Sequence, residues 1–337
     1  MSDPLERKLA AVLAPQLGDD VTVENLHMLT GGASRITYSF EAVSGPDRRR
    51  LILRSAPAVD SEDEQAYFAS MELEAAAQAA AAEAGAPVPH VLVASDSVAA
   101  LGNAFLVCDE IAGETIVRRI QRQLDASDIP DARPRLLTQC GQALAAIHRA
   151  RADAPGLDEH DQLEQYRQRV DDMGDTTATF ELAFRWLAAN RPEPSARTLV
   201  HGDFRMGNLI VDTSSPGGPT LAAVLDWEVV HLGEIYEDLA WFCIRAWRFG
   251  APSALAAGGL GSVEEFVAAY EQAGGGPVDR AALHWWMVLG TLRWGVICRY
   301  QAERHLSGQT RSVELATIGR RVCETEWDVL DLLEAAR

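Results

Sequence analysis

The stretch LVHGDFRMGNLIVD, residues 199–212, places an Asp two residues after a His and an Asn five residues after that Asp. Apolar runs typical of short strands lie on both sides. A carboxylate at Asp203 can accept the proton of a hydroxyl group, and the amide of Asn208 offers a neutral oxygen to a hard cation. An Asp and an Asn separated by four residues is the spacing used for phosphoryl transfer in kinase catalytic loops.

Such chemistry needs a second carboxylate that joins a magnesium ion to the phosphates of a nucleotide. VLDWE supplies Asp226, and the intervening run LIVDTSSPGGPTLAAVLD predicts a hairpin that returns the chain beside Asn208. Oxygen ligands suit magnesium, and no His or Cys pair at ligand spacing competes for a different metal. Any one of these residues alone could be a turn residue or a strand-end cap, but three in this order indicate a site.

The surrounding elements change character along the chain. In the first ~110 residues, ENLHMLTGGASRITYSFEAV and LILRSAP predict three strands with a Gly turn after the first. SEDEQAYFASMELEAAAQAAAAEAG predicts a long helix stopped by Gly85 and Pro87, and PVPHVLVASDS and NAFLVCDEIAG predict two more strands. The remainder is mainly helical apart from the strands around the hairpin. The sequence therefore predicts an α+β fold with a small sheet-containing lobe, residues 1–110, and a larger lobe, residues 111–337.

HGDFRMGNLIVD followed by VLDWEVVHLGEIYEDLAW resembles the aminoglycoside phosphotransferase family, which includes choline and homoserine kinases. The resemblance covers nearly the whole chain and extends to the kinase-like domains fused to acyl-CoA dehydrogenases. It implies a bilobal protein-kinase-like fold with ATP or GTP between the lobes. It also implies phosphate transfer to a small-molecule hydroxyl, with Asp203 as the base, Arg205 near the transferring phosphoryl group, and Asn208 and Asp226 on Mg²⁺. Arg205 could equally pair with a surface acid.

The resemblance also implies roles for residues outside the hairpin. Asp238 would steady the catalytic-loop backbone, although it could be a plain helix N-cap. His201 is expected to pack under the loop, and His148 to be structural. Glu228 could reach a metal or remain a solvated strand-end acid. The expected nucleotide contacts come from a glycine loop, a third-strand cation with its helix partner, and a hinge that holds the base: Gly31, Gly32, Ser34, Arg54, Glu74, Cys108 and Glu110.

Two positions depart from the family pattern. The third strand usually offers a Lys to the phosphates, but this chain has Arg54 there, and Lys8 is its only lysine. An Arg can bind phosphate through two N–H groups but is larger than an ammonium, so it is read as a substitute. Its expected partner is Glu74, with Glu72 as the reserve. In GEIYEDL, Glu234 and Ile235 replace the usual Asp-Pro, which weakens assignment to a subfamily.

Composition limits the partners and the cellular location that the sequence predicts. The net charge of −19 argues against a nucleic-acid partner and suits either a cationic substrate or solubility alone. Five scattered Cys residues predict a reducing cytoplasm. MSDPLERKLAAVLAPQLGDD predicts an amphipathic helix and not a signal peptide. The apolar run at residues 281–298 is interrupted by His284 and Arg293, so no membrane span is expected.

The sequence thus predicts a magnesium- and ATP- or GTP-dependent small-molecule kinase that is a monomer or homodimer. The alternative is a catalytically silent nucleotide-binding protein that kept the fold, which Arg54 favours slightly. Only eleven residues separate Asp226 from Asp238, too few for the activation segment of a protein kinase. The acceptor stays open among an aminoglycoside, an amino alcohol, a sugar and a hydroxyacyl compound. Six acids in the polar stretch could hold an amine or simply be solvated: Asp158, Glu159, Asp161, Glu164, Asp171 and Asp172.

Overall fold

A computed structural model of the chain describes residues 4–29, 35–56 and 68–336. Within the described N-terminal part, five strands form one antiparallel sheet in the order β1-β2-β3-β5-β4. Helix α1 (Pro4–Leu17), which the sequence predicted, packs on the edge strands. The strands are β1 (Thr22–Met28), β2 (Ile36–Ser44), β3 (Asp47–Ser55), β4 (Val91–Ser95) and β5 (Phe105–Asp109).

The alternation of side chains along β3 decides what each face of the sheet carries. Leu51 and Leu53 are buried in the cluster that includes Leu9 and Leu13 of α1. Because successive side chains of a strand point to opposite faces, Arg54 lies on the other face. That face is covered by helix α2 (Met71–Glu83), which packs on β4 and β5.

Helix α2 begins later than the acid-rich run predicted. Ser70 is its N-cap and accepts a hydrogen bond from the backbone N–H of Leu73 at 3.2 Å. The helix therefore starts at Met71, and residues 61–67 lie outside the described part of the chain. At the other end, Gly85 follows the cap residue with φ of +96°, a conformation that glycine adopts without strain.

The rest of the described chain is mainly helical and shares one large apolar core. The 27-residue helix α9 (Arg280–Leu306) packs on five of the other helices. The remaining helices are α3 (Val117–Asp125), α4 (Ala132–Arg149), α5 (Gln162–Asp172), α6 (Ala178–Ala189), α7 (Ile235–Cys243), α8 (Val263–Tyr270), α10 (Val313–Gly319) and α11 (Val322–Ala335).

Two short antiparallel ladders carry the quoted motif. β6 (Thr198–Val200) pairs with β9 (His231–Gly233), and β7 (Leu209–Asp212) pairs with β8 (Thr220–Val224) as the predicted hairpin. The α+β prediction is confirmed, whereas the boundary between residues 110 and 111 stays a prediction. In the described part of the chain, no helix combines the length and apolar character needed to cross a membrane.

Candidate active site

The loop between β6 and β7 folds Asn208 back onto Asp203. A single 3-10 turn, Met206–Asn208, closes the loop just before β7 begins. The amide nitrogen of Asn208 donates to the Asp203 carboxylate Oδ2 at 2.7 Å and to the Asp203 backbone carbonyl at 3.0 Å. With its nitrogen used in this way, Asn208 keeps its amide oxygen for another partner. The two residues that the spacing singled out are therefore in direct contact.

Two further donors fix the Asp203 carboxylate. The Arg205 Nε lies 3.0 Å from Oδ1, and the indole N–H of Trp241 donates to the same oxygen at 2.7 Å. The Arg205 guanidinium stacks on Trp247, with 4.8 Å between the guanidinium carbon and the ring centre. Arg205 therefore pairs with Asp203 itself and not with a surface acid. The contact from Trp241 was not predicted from the sequence, because Trp241 lies 38 residues from Asp203 in the chain.

The hairpin brings Asp226 to the same place. Leu209 pairs with Val224, and the backbone N–H of Leu225 donates to the Asn208 carbonyl at 2.8 Å, so the next residue lies beside the catalytic loop. Asp226 has φ of +69°, an uncommon left-handed conformation that is frequent at functional sites. Its Oδ1 accepts a hydrogen bond from Arg54 at 2.6 Å. The hairpin thus places Asp226 next to the chain segment that carries Asn208, whereas a common site for the three side chains stays a prediction.

Arg54 joins the sheet, helix α2 and the hairpin. One guanidinium nitrogen contacts the Glu74 carboxylate at 2.8 Å, and the other makes the contact with Asp226. Glu74 is fully buried, as expected for the partner of this arginine. The reserve candidate, Glu72, instead accepts a hydrogen bond from the backbone N–H of Asp96 at 3.2 Å. A second cation on Glu74, Arg35, contacts its other oxygen at 2.9 Å and was not anticipated from the sequence.

The expected nucleotide contacts divide into two groups. Gly31, Gly32 and Ser34 lie outside the described residues. Cys108 is buried in β5, and burial raises the pKa of its thiol to about 12, so the sulfur stays protonated and is no nucleophile. The Glu110 carboxylate is engaged by Ser39 at 2.7 Å and by Arg50 at 2.5 Å. Contact with a base at this segment stays a prediction, and it would fall to the backbone.

Asp238 supports the catalytic loop from beneath. It lies inside α7, whose N-cap is Glu234, so the N-cap interpretation is wrong. Its two oxygens accept the backbone N–H groups of His201 at 2.8 Å and Gly202 at 2.9 Å. Burial acts to raise the pKa of the Asp238 carboxyl, but the hydrogen bond and charge of His148 and the contacts with His201 outweigh it and lower the pKa. Asp238 therefore steadies the loop as an ionised carboxylate.

His201 fixes the loop through both ring nitrogens. Its Nδ1 faces the backbone N–H of Asp203 at 3.2 Å, so this nitrogen must accept. Its Nε2 then carries the proton and donates to the Leu225 carbonyl at 2.9 Å. The ring thus ties Asp203 to the segment that carries the metal candidate Asp226. His148, which contacts Tyr270 and Asp238 inside the core, is structural as predicted.

A cavity of about 230 Å³ lies near this loop but has no lining residue from positions 201–208. Arg293 connects the two, since it lines the cavity and donates to the Gly202 carbonyl at 2.8 Å. The guanidinium carbon of Arg293 also lies 4.2 Å from the centre of the Trp241 ring. Other lining residues come from the start of α2, from α5 and the chain just before it, and from the start of β9 and the chain entering it: Leu73, His160, Gln162, Gln165, Val229 and His231.

Comparison with known proteins places this site in a family. Residues 27–286 match the family model described as the APH phosphotransferase enzyme family. The chain belongs to this family. The resemblance inferred from the HGD…N and DWE segments is thus confirmed, as is the enzyme class of small-molecule kinase at the level of the family.

Relatives of this phosphotransferase family member include two longer proteins. Acyl-CoA dehydrogenase family member 10 of Mus musculus is 27% identical over 322 residues, which cover 88% of this chain and 28% of that protein. Probable acyl-CoA dehydrogenase IBR3 of Arabidopsis thaliana is 25% identical over 338 residues, covering 90% of this chain and 38% of that protein. The chain therefore spans less than two fifths of the length of either relative.

Solved structures confirm the protein-kinase-like fold. A putative aminoglycoside phosphotransferase from Ralstonia eutropha JMP134 superposes with a TM-score of 0.74 at 20% identity, covering 98% of each chain. A choline kinase from Cryptosporidium parvum Iowa II superposes with a TM-score of 0.61 at 10% identity, covering 98% of this chain and 97% of that one. At these identities the likeness concerns the fold alone.

Proposed function

We propose that the protein moves the γ-phosphate of ATP or GTP to a hydroxyl group of a small molecule with the help of Mg²⁺. One observation carries the proposal: Asn208 contacts Asp203 just before β7, and Asp226 follows β8 at the same end of the hairpin, with Arg54 against it. The nucleotide would lie between the lobes at residues 1–110 and 111–337. Gly31, Gly32 and Ser34 would cover its phosphates, and the segment from Cys108 to Glu110 would hold the base.

The chemistry of the metal candidates fits Mg²⁺. Asn208 has already committed its amide nitrogen to Asp203, which leaves its oxygen as the group a cation would meet. The Asp226 carboxylate already holds a cationic group, the Arg54 guanidinium, and its side chain is 32% exposed. Two protein oxygens, with water and phosphate as the other ligands, are typical of magnesium in nucleotide sites. When bound, the ion would neutralise charge on the phosphates.

Asp203 would act as the general base. Its carboxylate is held by Asn208, Arg205 and Trp241, so one geometry is fixed before the acceptor arrives. As the acceptor oxygen forms its bond to the γ-phosphorus, the bond from that phosphorus to the bridging oxygen breaks and the nucleoside diphosphate leaves. The hydroxyl proton moves to Asp203. The Arg205 guanidinium, stacked on Trp247, would lie near the charge of the transferring group.

The acceptor would approach along the cavity that Arg293 lines. The acids once considered for an amine are largely engaged elsewhere: Asp161 caps α5 and pairs with Arg191, and Asp171 pairs with Arg167. Of the six, Asp158 lines the cavity. This arrangement gives no particular support to a polyamine, so sugars, amino alcohols and hydroxyacyl compounds stand beside aminoglycosides as acceptor classes. We further propose a cytoplasmic monomer or homodimer.

The second candidate is a nucleotide-binding protein with little or no catalysis. It is favoured by the contact between Arg54 and Asp226, since the guanidinium sits on the carboxylate that would hold the metal. The two candidates differ in whether phosphate reaches an acceptor when nucleotide and Mg²⁺ are bound.

The test is an acceptor panel scored by coupled ADP release, with transfer confirmed by mass spectrometry of the acceptor. We expect at least one acceptor to gain a phosphate in a Mg²⁺-dependent way. Asp203→Asn should keep nucleotide binding and lose transfer, whereas Asp212→Asn, at the far end of β7, should transfer normally. Equal transfer by Asp203→Asn and the parent protein would remove Asp203 from the role of base.

A further inference from the structure

The carboxylate of Glu74 is shared by two arginines. Arg35 takes its Oε1 at 2.9 Å and Arg54 takes its Oε2 at 2.8 Å, while the Glu74 side chain is 0% exposed. One guanidinium would neutralise this carboxylate, so the second leaves a buried positive charge. Asp226 compensates that positive charge through its ion pair with Arg54. The four residues form one continuous chain of ion pairs between helix α2 and the hairpin.

Arg35 also joins the start of α2 to the segment that follows Asp226. The same nitrogen that contacts Glu74 donates to the carbonyl of Ala69 at 3.1 Å, one residue before the N-cap of α2. Its Nε lies 3.7 Å from the Glu228 carboxylate. The backbone repeats this connection, because the Ala69 N–H donates to the Glu228 carbonyl at 2.7 Å. Arg35 thus touches both pieces of chain that must stay fixed if Asp226 is to keep its place.

We infer that Arg35 is a positioning residue for nucleotide binding, which rests on the proposed function. In the structure Arg54 binds Glu74 and Asp226 at once. When phosphates enter, Arg54 must turn toward them and Asp226 must be released toward the cation. A buried carboxylate that lost its partner would strongly oppose this change. Arg35 lowers this cost, because it remains paired with Glu74 and keeps α2 in place while Arg54 moves.

The inference gives a direction for the effect of removing Arg35. With Arg54 as the remaining cation on Glu74, that arginine is held more firmly and is less available to phosphate. Nucleotide affinity should therefore fall, while an acceptor bound in the C-terminal lobe should be little affected. A residue that only stabilised the fold would lower the amount of active protein without shifting the KM of the nucleotide.

The experiment compares Arg35→Met and Arg35→Lys with Arg48→Met, a change on β3 that removes a more exposed arginine paired with Glu24 and Glu41. We expect Arg35→Met to raise both the KM of Mg·ATP and the Kd of a non-hydrolysable ATP analogue by about 10- to 100-fold, as for residues that support a metal site indirectly. Arg35→Lys should recover part of the loss, and Arg48→Met should match the parent protein. An Arg35→Met protein with unchanged nucleotide KM and Kd would overturn the inference and leave the proposed function standing.

A second experiment tests whether Arg35 and Arg54 share the Glu74 carboxylate, and it needs no activity measurement. Urea unfolding of Arg35→Met, Arg54→Met and the double variant forms a cycle around Glu74. We expect the double variant to lose more stability than the two single variants together, because the last arginine to be removed leaves Glu74 buried and unpaired. Additive losses would contradict the sharing of Glu74 and with it the inference. A parent protein that binds no Mg·ATP but shows the non-additive cycle would instead refute the proposed function.

Discussion

Trp241 donates its indole N–H to the Asp203 carboxylate at 2.7 Å from the same helix on which Asp238 holds the loop backbone. The two residues are three positions apart in α7, so they lie on one face of the helix. One helix therefore fixes both the path of the catalytic loop and the orientation of its carboxylate. This relationship explains how a short loop can hold the Asp203 carboxylate in one orientation without a large supporting sheet.

Trp241→Phe tests the contact with Asp203. The variant removes one hydrogen bond to a charged group, which contributes about 1.5–3 kcal/mol. If that bond orients the base, kcat should fall about 10- to 100-fold with little change in the KM of the nucleotide. The matched control is Trp285→Phe, which removes a buried indole N–H bonded at 2.9 Å to the Leu187 carbonyl. Equal kcat values for the two variants would show that Trp241 acts only through packing.

Arg54→Met and Arg54→Lys test the prediction that Arg54 takes the place of the lysine usual in the family. A lysine keeps the positive charge but offers a compact point charge in place of a planar fork, so it is poorly suited to join Glu74 and Asp226 together. We expect Arg54→Met to weaken binding of an ATP analogue about 100-fold or more, and Arg54→Lys to lie between it and the parent protein. Isothermal titration calorimetry with and without Mg²⁺ gives both values. Parent-like binding by Arg54→Met would mean that Arg54 does not contact phosphate.

Asp238→Asn tests the support beneath the loop. The amide can accept one of the two backbone N–H groups, of His201 or Gly202, but its own NH₂ group faces the other. One buried donor is then unsatisfied, at a cost of about 1–3 kcal/mol in the free energy of unfolding. Urea unfolding at pH 7 measures the loss, with exposed Asp172→Asn as the control. A loss no larger than that of the control would contradict the role given to Asp238.

The same variant should show a pH signature. The pKa of Asp238 is lowered in the folded protein, so its stabilising contribution is fully present above the unfolded value of about 3.9. It is lost as pH falls below that value through the folded pKa. The stability difference between the parent protein and Asp238→Asn should therefore be constant between pH 5 and 7 and narrow below about pH 4. A difference that widened on acidification would have the wrong sign for this carboxylate.

Much of the fold could be predicted from the sequence, because local sequence patterns agree with the tertiary structure. The alternating runs in the first lobe became the five strands, and the Gly/Pro-rich turn between Asp212 and Thr220 became the hairpin. The start of α2 was placed too early, because helix propensity in the acid-rich run gives no boundary, while the cap at Ser70 does. The N-cap interpretation of Asp238 failed for a related reason, since α7 begins at Ile235, three residues before Asp238, and its N-cap is Glu234.

The sequence by itself determined the candidate site loop, because the spacing from Asp203 to Asn208 and the hairpin to Asp226 are local in the chain. Contacts between distant segments were decided only by the tertiary structure. Arg35 meets Glu74 across 39 residues, and Trp241 meets Asp203 across 38. Hydrogen bonds and ion pairs depend on distances of about 3 Å, and such distances between remote residues are fixed by packing, which no local pattern encodes.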